Sequence, residues 1–283
     1  MRMLRKYIFL VKSFLLLFLF VVHFEPAYSQ EVIKEDRVLQ LFRGVEVAKD
    51  VNVIIVQGDT LSVRVETDEQ LLRAVITEVS GDVLKLAIDE RKRSLMAKKS
   101  SAIVYISLPE LTSVSVSLGS VVSLQSEFTT DNLELTATFG GQIHIDKEIT
   151  IEHKLDLNVK TKGKILSKGN IITDTANLTV ASSGEVHLPL EVKGKIECTA
   201  MDSSLITISG KAHDALISAM SKSELKMKQF KVQNANIVAT SSAIIQITVE
   251  EFLAATAADR SIITYSGKPK TVSKETTSGG KIK

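Results

Sequence analysis

The feature that most constrains the fold is a short pattern that recurs eight times between Thr112 and Tyr265. Each copy has a small residue followed by an apolar residue two positions later and, except for Ser167 in the third copy, another four positions later. Successive small residues are 21, 22, 21, 20, 19, 20 and 18 residues apart. A near-constant period of this length is typical of stacked repeat architectures, in which neighbouring repeats bury each other's apolar faces. We call the small residue the corner of its repeat; the eight corners are Ser120, Gly141, Gly163, Gly184, Ser204, Ser223, Ala243 and Ser261.

The positions around each corner predict which side chains point inward. Positions six and four before the corner are also apolar or small, and side chains on a strand alternate between its two faces, so four positions of equal parity face the core. The sequence therefore predicts an all-β fold, a parallel β-helix or β-solenoid with about 20 residues per coil. The position four before the corner is always Val or Ala, which predicts a layer too narrow for a large side chain at Ala200 or Ala219. If the corners need a positive φ, Ala243 is expected to be strained.

The regions that flank the repeats are expected to cover the ends of the stack. Residues 30–108 show two-residue alternation of apolar and polar residues, which is typical of half-buried strands, with one helical turn near 68–74. Since the ends of a solenoid are open strand edges, we predict a β-rich N-terminal cap at 30–108, repeats at 109–266 and a C-terminal tail or cap at 267–283. We interpret 30–283 as one continuous domain.

The first 29 residues have the composition of a secretory signal peptide. Basic residues precede an apolar run of about ten residues at 13–22, and Ala27-Tyr-Ser29 supplies small residues for cleavage before Gln30. The apolar run is too short for a membrane span, which needs roughly twenty residues. We therefore expect export, to the periplasm, the outer-membrane surface or the medium, with no membrane span after cleavage.

Charge and cysteine content narrow the function further. Removing residues 1–29 takes away four positive charges and one negative charge, so the net charge falls from +2 to 2 − 3 = −1. A nearly neutral surface of mixed Lys and Glu gives no electrostatic footprint for nucleic acid. Cys198 is the single cysteine, and its place in an inward column predicts a small core residue.

Several segments carry a resemblance to a known family. They are Phe42-Arg-Gly-Val45-Glu-Val47, Val53 to Val65 with Gly58-Asp59 at its turn, Leu72 to Leu84, Ile103-Val-Tyr-Ile-Ser-Leu-Pro109, the corner glycines Gly141, Gly163 and Gly184, Tyr265-Ser-Gly267-Lys-Pro269 and Ser278-Gly279-Gly280-Lys-Ile282. Together they resemble the auto-transporter adhesin "head GIN" domain family, a domain of unknown function in exported proteins of Bacteroidetes. The resemblance implies a β-helix-like fold, export to the cell envelope and an adhesin-like role, and it carries no binding residues with it. Later corners depart from the family pattern because serine or alanine replaces the commoner glycine.

One polar column, ten positions before the corner, is the arrangement best suited to chemistry. In-register stacking would make Asp131, His153 and Asp174 neighbours on consecutive coils, and two carboxylates roughly 5 to 9.5 Å apart could cleave a glycan. The same groups could bind a metal. A line of turns, in which such residues satisfy the backbone, explains the column equally well. The column is Glu110, Asp131, His153, Asp174, Gly194, His213, Gln233 and Glu251.

A second column, five positions before the corner, has outward parity and is rich in hydroxyl groups. It predicts a flat ladder along one side of the rod, a plausible surface for a glycan or a protein, although Thr and Ser are also ordinary choices for a solvated sheet face. The candidate binding residues in it are Thr136, Asn158, Thr179 and Thr199.

These observations predict a non-catalytic, adhesin-like or scaffolding protein of the cell envelope. We expect no cofactor and no metal, a glycan or protein partner at the cell surface, and no nucleic acid; self-association stays open. The alternatives are a polysaccharide-active enzyme that uses Asp131, His153 and Asp174, and a structural envelope protein without a ligand.

Overall fold

The computed structural model describes residues 32–93 and 101–283; the predicted signal peptide at 1–29 lies outside these ranges. In the described ranges the repeats form a parallel β-solenoid, which confirms the predicted fold class. Gln142 pairs with Val121 on one neighbouring strand and with Lys164 on the other, so the corners preceding them lie one above another. The same register continues through Ser261, so the eight corners align as the spacing predicts.

The strands and helices have the following bounds. The N-terminal part holds β1 (Ile33–Arg37), β2 (Gly44–Val47), β3 (Val51–Gln57), β4 (Ser62–Thr67), α1 (Glu69–Leu72), β5 (Val75–Ser80), β6 (Val83–Ile88), α2 (Glu90–Arg93) and β7 (Ala102–Leu108). The first repeats hold β8 (Ser113–Val116), β9 (Val121–Leu124), β10 (Phe128–Ala137), β11 (Gln142–Ile145), β12 (Ile149–Val159), β13 (Lys164–Ser167), β14 (Ile171–Thr173), β15 (Thr175–Val180), β16 (Glu185–Val192) and β17 (Lys195–Ala200). The later repeats hold β18 (Leu205–Ala219), β19 (Glu224–Ala239), β20 (Ile244–Ala257), β21 (Ile262–Ser266), β22 (Thr271–Thr276) and β23 (Lys281–Ile282).

Each coil contributes to three walls of the solenoid. The first wall contains the strand segments that end just before the corner, such as β15 and β17. The second wall contains the segments that follow the corner, such as β9, β11 and β13. The third wall leads back to the first and contains β14 and the second half of β16. Apolar side chains of all three walls meet in one continuous core.

The N-terminal region continues the solenoid before it caps it. Strands β2 and β3 lie between the coil formed by β6 and β7 and the coil formed by β8 and β9, all in parallel. The coil formed by β2 and β3, which is second in the stack, therefore comes earlier in the chain than the coil formed by β6 and β7, which is first in the stack. Beyond that first coil, β5 pairs antiparallel with β6, β4 pairs antiparallel with β7, and β1 pairs antiparallel with β4. Helix α1 adds buried Leu71 and Leu72 at this end. Parallel coils therefore lie on both sides of residue 108, and the cap is formed by β1, β4, β5 and α1.

The C-terminal residues add another coil in place of a separate cap. Strand β22 pairs parallel with β20, and β23 pairs parallel with β21. Lys274 aligns with the buried Ala255 of the coil before it, and its ammonium lies 4.6 Å from the ring centre of Tyr265. The inward column therefore ends on a charged side chain, which suits an exposed end of the stack.

The corners are small because of close approach between coils; they do not need a positive φ, so the condition under which Ala243 would be strained is not met. No corner glycine has a positive φ, whereas a Cβ on Gly163 would lie 2.1 Å from the carbonyl oxygen of Ala137. At the later serine corners the hydroxyl donates to the equivalent carbonyl: Ser223 to Ala200 at 3.0 Å and Ser261 to Ala239 at 2.7 Å. At these corners a side-chain hydrogen bond thus takes the place of direct backbone approach.

The left-handed conformation is instead found at the two residues that precede each corner. Ser241 and Ser242 have φ values of 53° and 63°, and Ser182 and Ser183 have 51° and 61°. The turns stack, since the Ser242 amide donates to the carbonyl of Asp259 on the next coil. Two consecutive positive φ values define the type I′ turn, for which Asn-Gly is preferred.

We expect the double variant Ser241→Asn/Ser242→Gly to be more stable than the wild type by about 1 kcal/mol. A left-handed residue other than Gly or Asn costs roughly 1 to 2 kcal/mol, part of which this change recovers. Urea titration followed by circular dichroism measures the difference. The same pair placed at Thr271 and Val272, within strand β22, is expected to give no gain.

The core contains Cys198, as its inward column predicts. The side chain is buried, and burial raises the pKa of its thiol from 9.0 to about 12. A raised folded-state pKa means that the stability linked to the neutral thiol is complete below pH 9.0 and is lost as the pH rises towards about 12.

We expect the Cys198 thiol of the native protein to react with iodoacetamide at pH 8 roughly a thousandfold more slowly than in urea, because only the thiolate is nucleophilic. Mass spectrometry of samples quenched over time gives both rates. Equal rates in the two conditions would show that the residue is accessible.

Candidate functional site

The polar column lies on bends of the first repeats and is not arranged as a cluster. Between β10 and β12 the register shifts around Asp131, where Thr130 pairs with Ile151 but Asn132 pairs with Lys154. Asp131 and His153 are exposed. The His153 carbonyl accepts hydrogen bonds from the hydroxyls of Thr173 and Thr175, so this bend satisfies its backbone through neighbouring side chains.

Asp174 already has a partner of its own. Its carboxylate lies 2.9 Å from the ammonium of Lys193, and both side chains are largely exposed. Within residues 32–93 and 101–283, no group of three or more His, Cys, Asp or Glu side chains is placed to hold a metal ion. The role of Asp131, His153 and Asp174 in glycan cleavage stays a prediction.

The structure brings the four ladder residues into one row on the first wall. Thr136 pairs with Asn158, Asn158 with Thr179, and Thr179 with Thr199, so their side chains repeat at about the strand spacing of 4.8 Å. All four are half-buried. The side-chain oxygen of Asn158 is buried without a hydrogen-bond partner, which leaves acceptor capacity in the middle of the row.

Two depressions lie elsewhere, at the bend between the second and third walls and on the third wall. The first, which we call the corner groove, has a volume of about 490 Å³ and is open to solvent. It exists because β19 bulges outward: Met227 pairs with Ile247 and Lys231 with Thr248, which leaves three residues of β19 without a partner on β20. The groove is lined by Ser167, His187, Leu188, Pro189, Thr207, Ile208, Ser209, Lys226, Lys228 and Gln229.

A second depression adjoins the same bend on the third wall. We call it the lysine cleft; its volume is about 260 Å³. Glu191, Lys211 and Lys231 follow one another in register on β16, β18 and β19. The cleft is lined by Val192, Lys193, Lys211, Ala212, His213, Lys231, Gln233 and Glu250.

A third depression lies on the N-terminal cap, again with a volume of about 490 Å³. Two ion pairs form its rim: Arg64 with Asp36 at 2.7 Å and Lys34 with Glu66 at 2.8 Å. The hydrogen bond from Arg64 lowers the pKa of Asp36. The charges of this groove are therefore matched within the chain, and Tyr105 lines it between them.

The carboxylates near the bend are stabilised in their ionised form. Hydrogen bonds from Lys164 and His187 lower the pKa of Glu185, and hydrogen bonds from Asn234 and His213 lower the pKa of Asp214. A general acid in glycan hydrolysis needs a raised pKa instead. These two carboxylates are thus suited to binding and to ion pairing.

Sequence reasoning missed the corner groove, and of the lysine cleft it singled out only His213 and Gln233, as members of the polar column. The repeat was aligned on its corners, and an insertion far from the corner changes only the repeat length, here 20 residues for the coil that begins at Ser223 against 18 for the next. The available signal was the run of Lys226, Lys228 and Lys231 around buried Met227 and Phe230.

Comparison with known proteins places the fold and this geometry in a family. The profile described as "Putative auto-transporter adhesin, head GIN domain" matches residues 41–152 and again residues 145–269. The chain belongs to this family. The matched ranges of the head GIN domain contain the repeats, the corner groove and the lysine cleft.

Solved structures share the fold of this head GIN protein. A "putative adhesin" from Parabacteroides distasonis is 20% identical with a TM-score of 0.61, over 90% of this chain and 97% of that one. A "putative lipid binding protein" from the same species is 16% identical with a TM-score of 0.62, over 90% and 96%. A "putative adhesin" from Parabacteroides merdae is 19% identical with a TM-score of 0.55, over 90% and 96%. At these identities the likeness establishes the fold alone.

The chain has no match among curated proteins. In the part of the chain that the structure describes, no helix is both long and apolar enough to span a membrane.

Proposed function

We propose that this head GIN protein is exported to the cell envelope and acts there without catalysis, as an adhesin-like module that binds a glycan or a protein by surface contact. The observation that carries the proposal is the form of its depressions. The three that we describe are open to solvent, lie on the outer walls of a rigid solenoid, and combine polar and charged side chains with apolar ones.

A rigid solenoid is suited to this role because it presents its outer side chains in fixed rows. Long parallel pairings with few register shifts hold neighbouring rows at about 4.8 Å, so little conformational entropy is lost when an extended ligand binds. The family description, with its adhesin label, supports the same role.

Export is the second part of the proposal. It rests on the composition of residues 1–29 and on the family, whose description refers to an auto-transporter adhesin. A glycan or protein at the cell surface is the partner that such a location favours, and self-association along the solenoid is compatible with it.

The decisive experiment is to probe an array of glycans and extracellular-matrix proteins with the purified protein. We expect saturable binding to at least one class, and competition by the same ligand in solution. A complete absence of binding, with a folded protein confirmed by circular dichroism, would contradict the adhesin-like role.

The enzyme alternative has its own test. We expect the purified protein to release no new reducing ends from a panel of polysaccharides, and the variants Asp131→Asn and Asp174→Asn to keep the wild-type melting temperature to within about 2 °C, because exposed bend residues contribute little. Release of reducing ends that either variant abolishes would instead establish catalysis at this column.

A further inference from the structure

We propose that the bend between the second and third walls, formed by the corner groove and the lysine cleft, binds an anionic polysaccharide that carries carboxylate or sulfate groups. This inference rests on the proposed function, because it names the class of ligand for a surface-contact protein.

The first argument is the placement of positive charge. Three exposed lysines lie along β19: Lys226 before its bulge, Lys228 within it and Lys231 directly after it. On the adjacent strand Lys211 is in direct register with Lys231. Like charges directly opposite each other on neighbouring strands destabilise a sheet, so this pair has no structural benefit of its own. A bound anion between them would remove the repulsion.

The second argument is incomplete neutralisation by the chain itself. Three lysines of the bend have partners within the chain: Lys211 lies 3.3 Å from Glu191, Lys226 lies 3.5 Å from Glu224, and Lys193 lies 2.9 Å from Asp174. Among the described residues, Lys228 and Lys231 form no ion pair, whereas Lys164 on the same wall as Lys226 lies 2.6 Å from Glu185. Glu250 is the single carboxylate among the residues that line the lysine cleft. The bend therefore keeps two lysine charges that no described carboxylate pairs with, on a chain whose predicted mature form is nearly neutral.

The third argument is shape. The corner groove and the lysine cleft lie on either side of the β19 bulge, with volumes of about 490 and 260 Å³, and both are open to solvent. A small anion would stay hydrated in such a depression, whereas a polymer can place several anionic groups along both at once and gain from their number. The geometry thus fits a chain that crosses the bend.

The fourth argument selects a carbohydrate over a nucleic acid. Sequence-tolerant binding of nucleic acid uses exposed aromatic rings for base stacking, but Phe230 is buried and neither depression is lined by an exposed aromatic side chain. Their polar residues are hydroxyl, amide and imidazole groups, which match sugar hydroxyls. The hydroxyl oxygen of Thr207, a lining residue of the corner groove in register with Lys226, is buried without a hydrogen-bond partner.

The test compares three polymers and two matched variants by affinity electrophoresis and calorimetry. Polygalacturonate carries carboxylates, dextran sulfate carries sulfates, and dextran is neutral. The first variant, Lys211→Gln/Lys228→Gln/Lys231→Gln, removes charge at the bend. The second, Lys85→Gln/Lys147→Gln/Lys160→Gln, removes the same charge from exposed positions elsewhere.

We expect the wild type to bind at least one anionic polymer and not dextran, with an affinity that falls as salt is added. The bend variant is expected to lose on the order of tenfold to a hundredfold in affinity, and the control variant less than about threefold. Melting temperatures confirm that both variants are folded. Binding of only one of the two anionic polymers identifies the anionic group that the site prefers and supports the proposal.

Three results would overturn the inference. They are equal binding of dextran, equal losses in the two variants, and no binding of either anionic polymer. If the array then shows binding to a neutral glycan or a protein that the bend variant leaves unchanged, the proposed function holds and only the ligand class is wrong. If the array also shows nothing, both fail.

Discussion

The variant Ala219→Phe is expected to lose about 3 kcal/mol or more of unfolding free energy, or to accumulate as insoluble protein. Ala219 is buried in the inward column, and it is in direct register with Ala200 on one side and Ala239 on the other. Alanine at three consecutive coils brings the walls close together at this layer. A phenyl ring has no space there unless the stacked strands separate, which would break their hydrogen bonds.

The neighbouring residue supplies a matched control. Ser218→Phe adds the same ring one position earlier, where the side chain points outward and is half exposed. We expect this variant to lose less than about 1 kcal/mol, since aromatic residues are well tolerated on a sheet face. Chemical denaturation measures both variants. Comparable losses would show that the two positions do not differ in orientation as described.

The second large effect is expected at a corner glycine. Gly163→Val should destabilise the protein by roughly 3 kcal/mol, because its Cβ would lie 2.1 Å from the carbonyl oxygen and 2.5 Å from the carbonyl carbon of Ala137. Both atoms belong to backbone that is held in the ladder, so relief requires movement of a whole coil. Thermal and urea unfolding provide the measurement.

Gly194→Ala is the control for that substitution. Its Cβ would approach only the Asp174 carbonyl, at 3.1 Å, and its φ is not positive. A loss of a few tenths of a kcal/mol is expected, because a slight shift relieves the contact. A Gly163 variant as stable as the Gly194 variant would show that close approach between coils does not explain the small corners.

Periodicity alone was sufficient to predict the solenoid, its register and the inward columns. Every coil has to bury side chains at the same positions, so apolar or small residues recur at fixed offsets from the corner in all eight repeats. The column of Val116, Ala137, Val159 and Val180 is buried throughout, as its parity predicts. Cys198 follows the same rule.

Features that occur once could not be read from a repeat. Strands β2 and β3 precede β6 and β7 in the chain but follow them in the stack, and the alternation of apolar and polar residues is the same for either order. The β19 bulge is an insertion, and an alignment on the corners shows it only as a longer repeat. The small corners were correctly located, but the sequence left their cause open, since close approach and positive φ both favour glycine.

The ladder and the polar column show the same limit for function. Register was enough to place Thr136 beside Asn158. At the bend, however, β12 has two residues, Glu152 and His153, opposite the single Asp131 of β10, so an offset counted from the corner no longer identifies neighbouring residues there. The positive charge at the bend depends on a cross-strand pair, Lys211 and Lys231, and on missing ion partners, which only the stacked structure reveals.

The measurement that tests the account most directly is protease accessibility on intact cells that produce the protein. An adhesin-like module must be reachable from outside, so we predict that added protease removes it from intact cells while a cytoplasmic marker survives. Complete protection in intact cells, with digestion only after the envelope is broken, would contradict a role in surface contact.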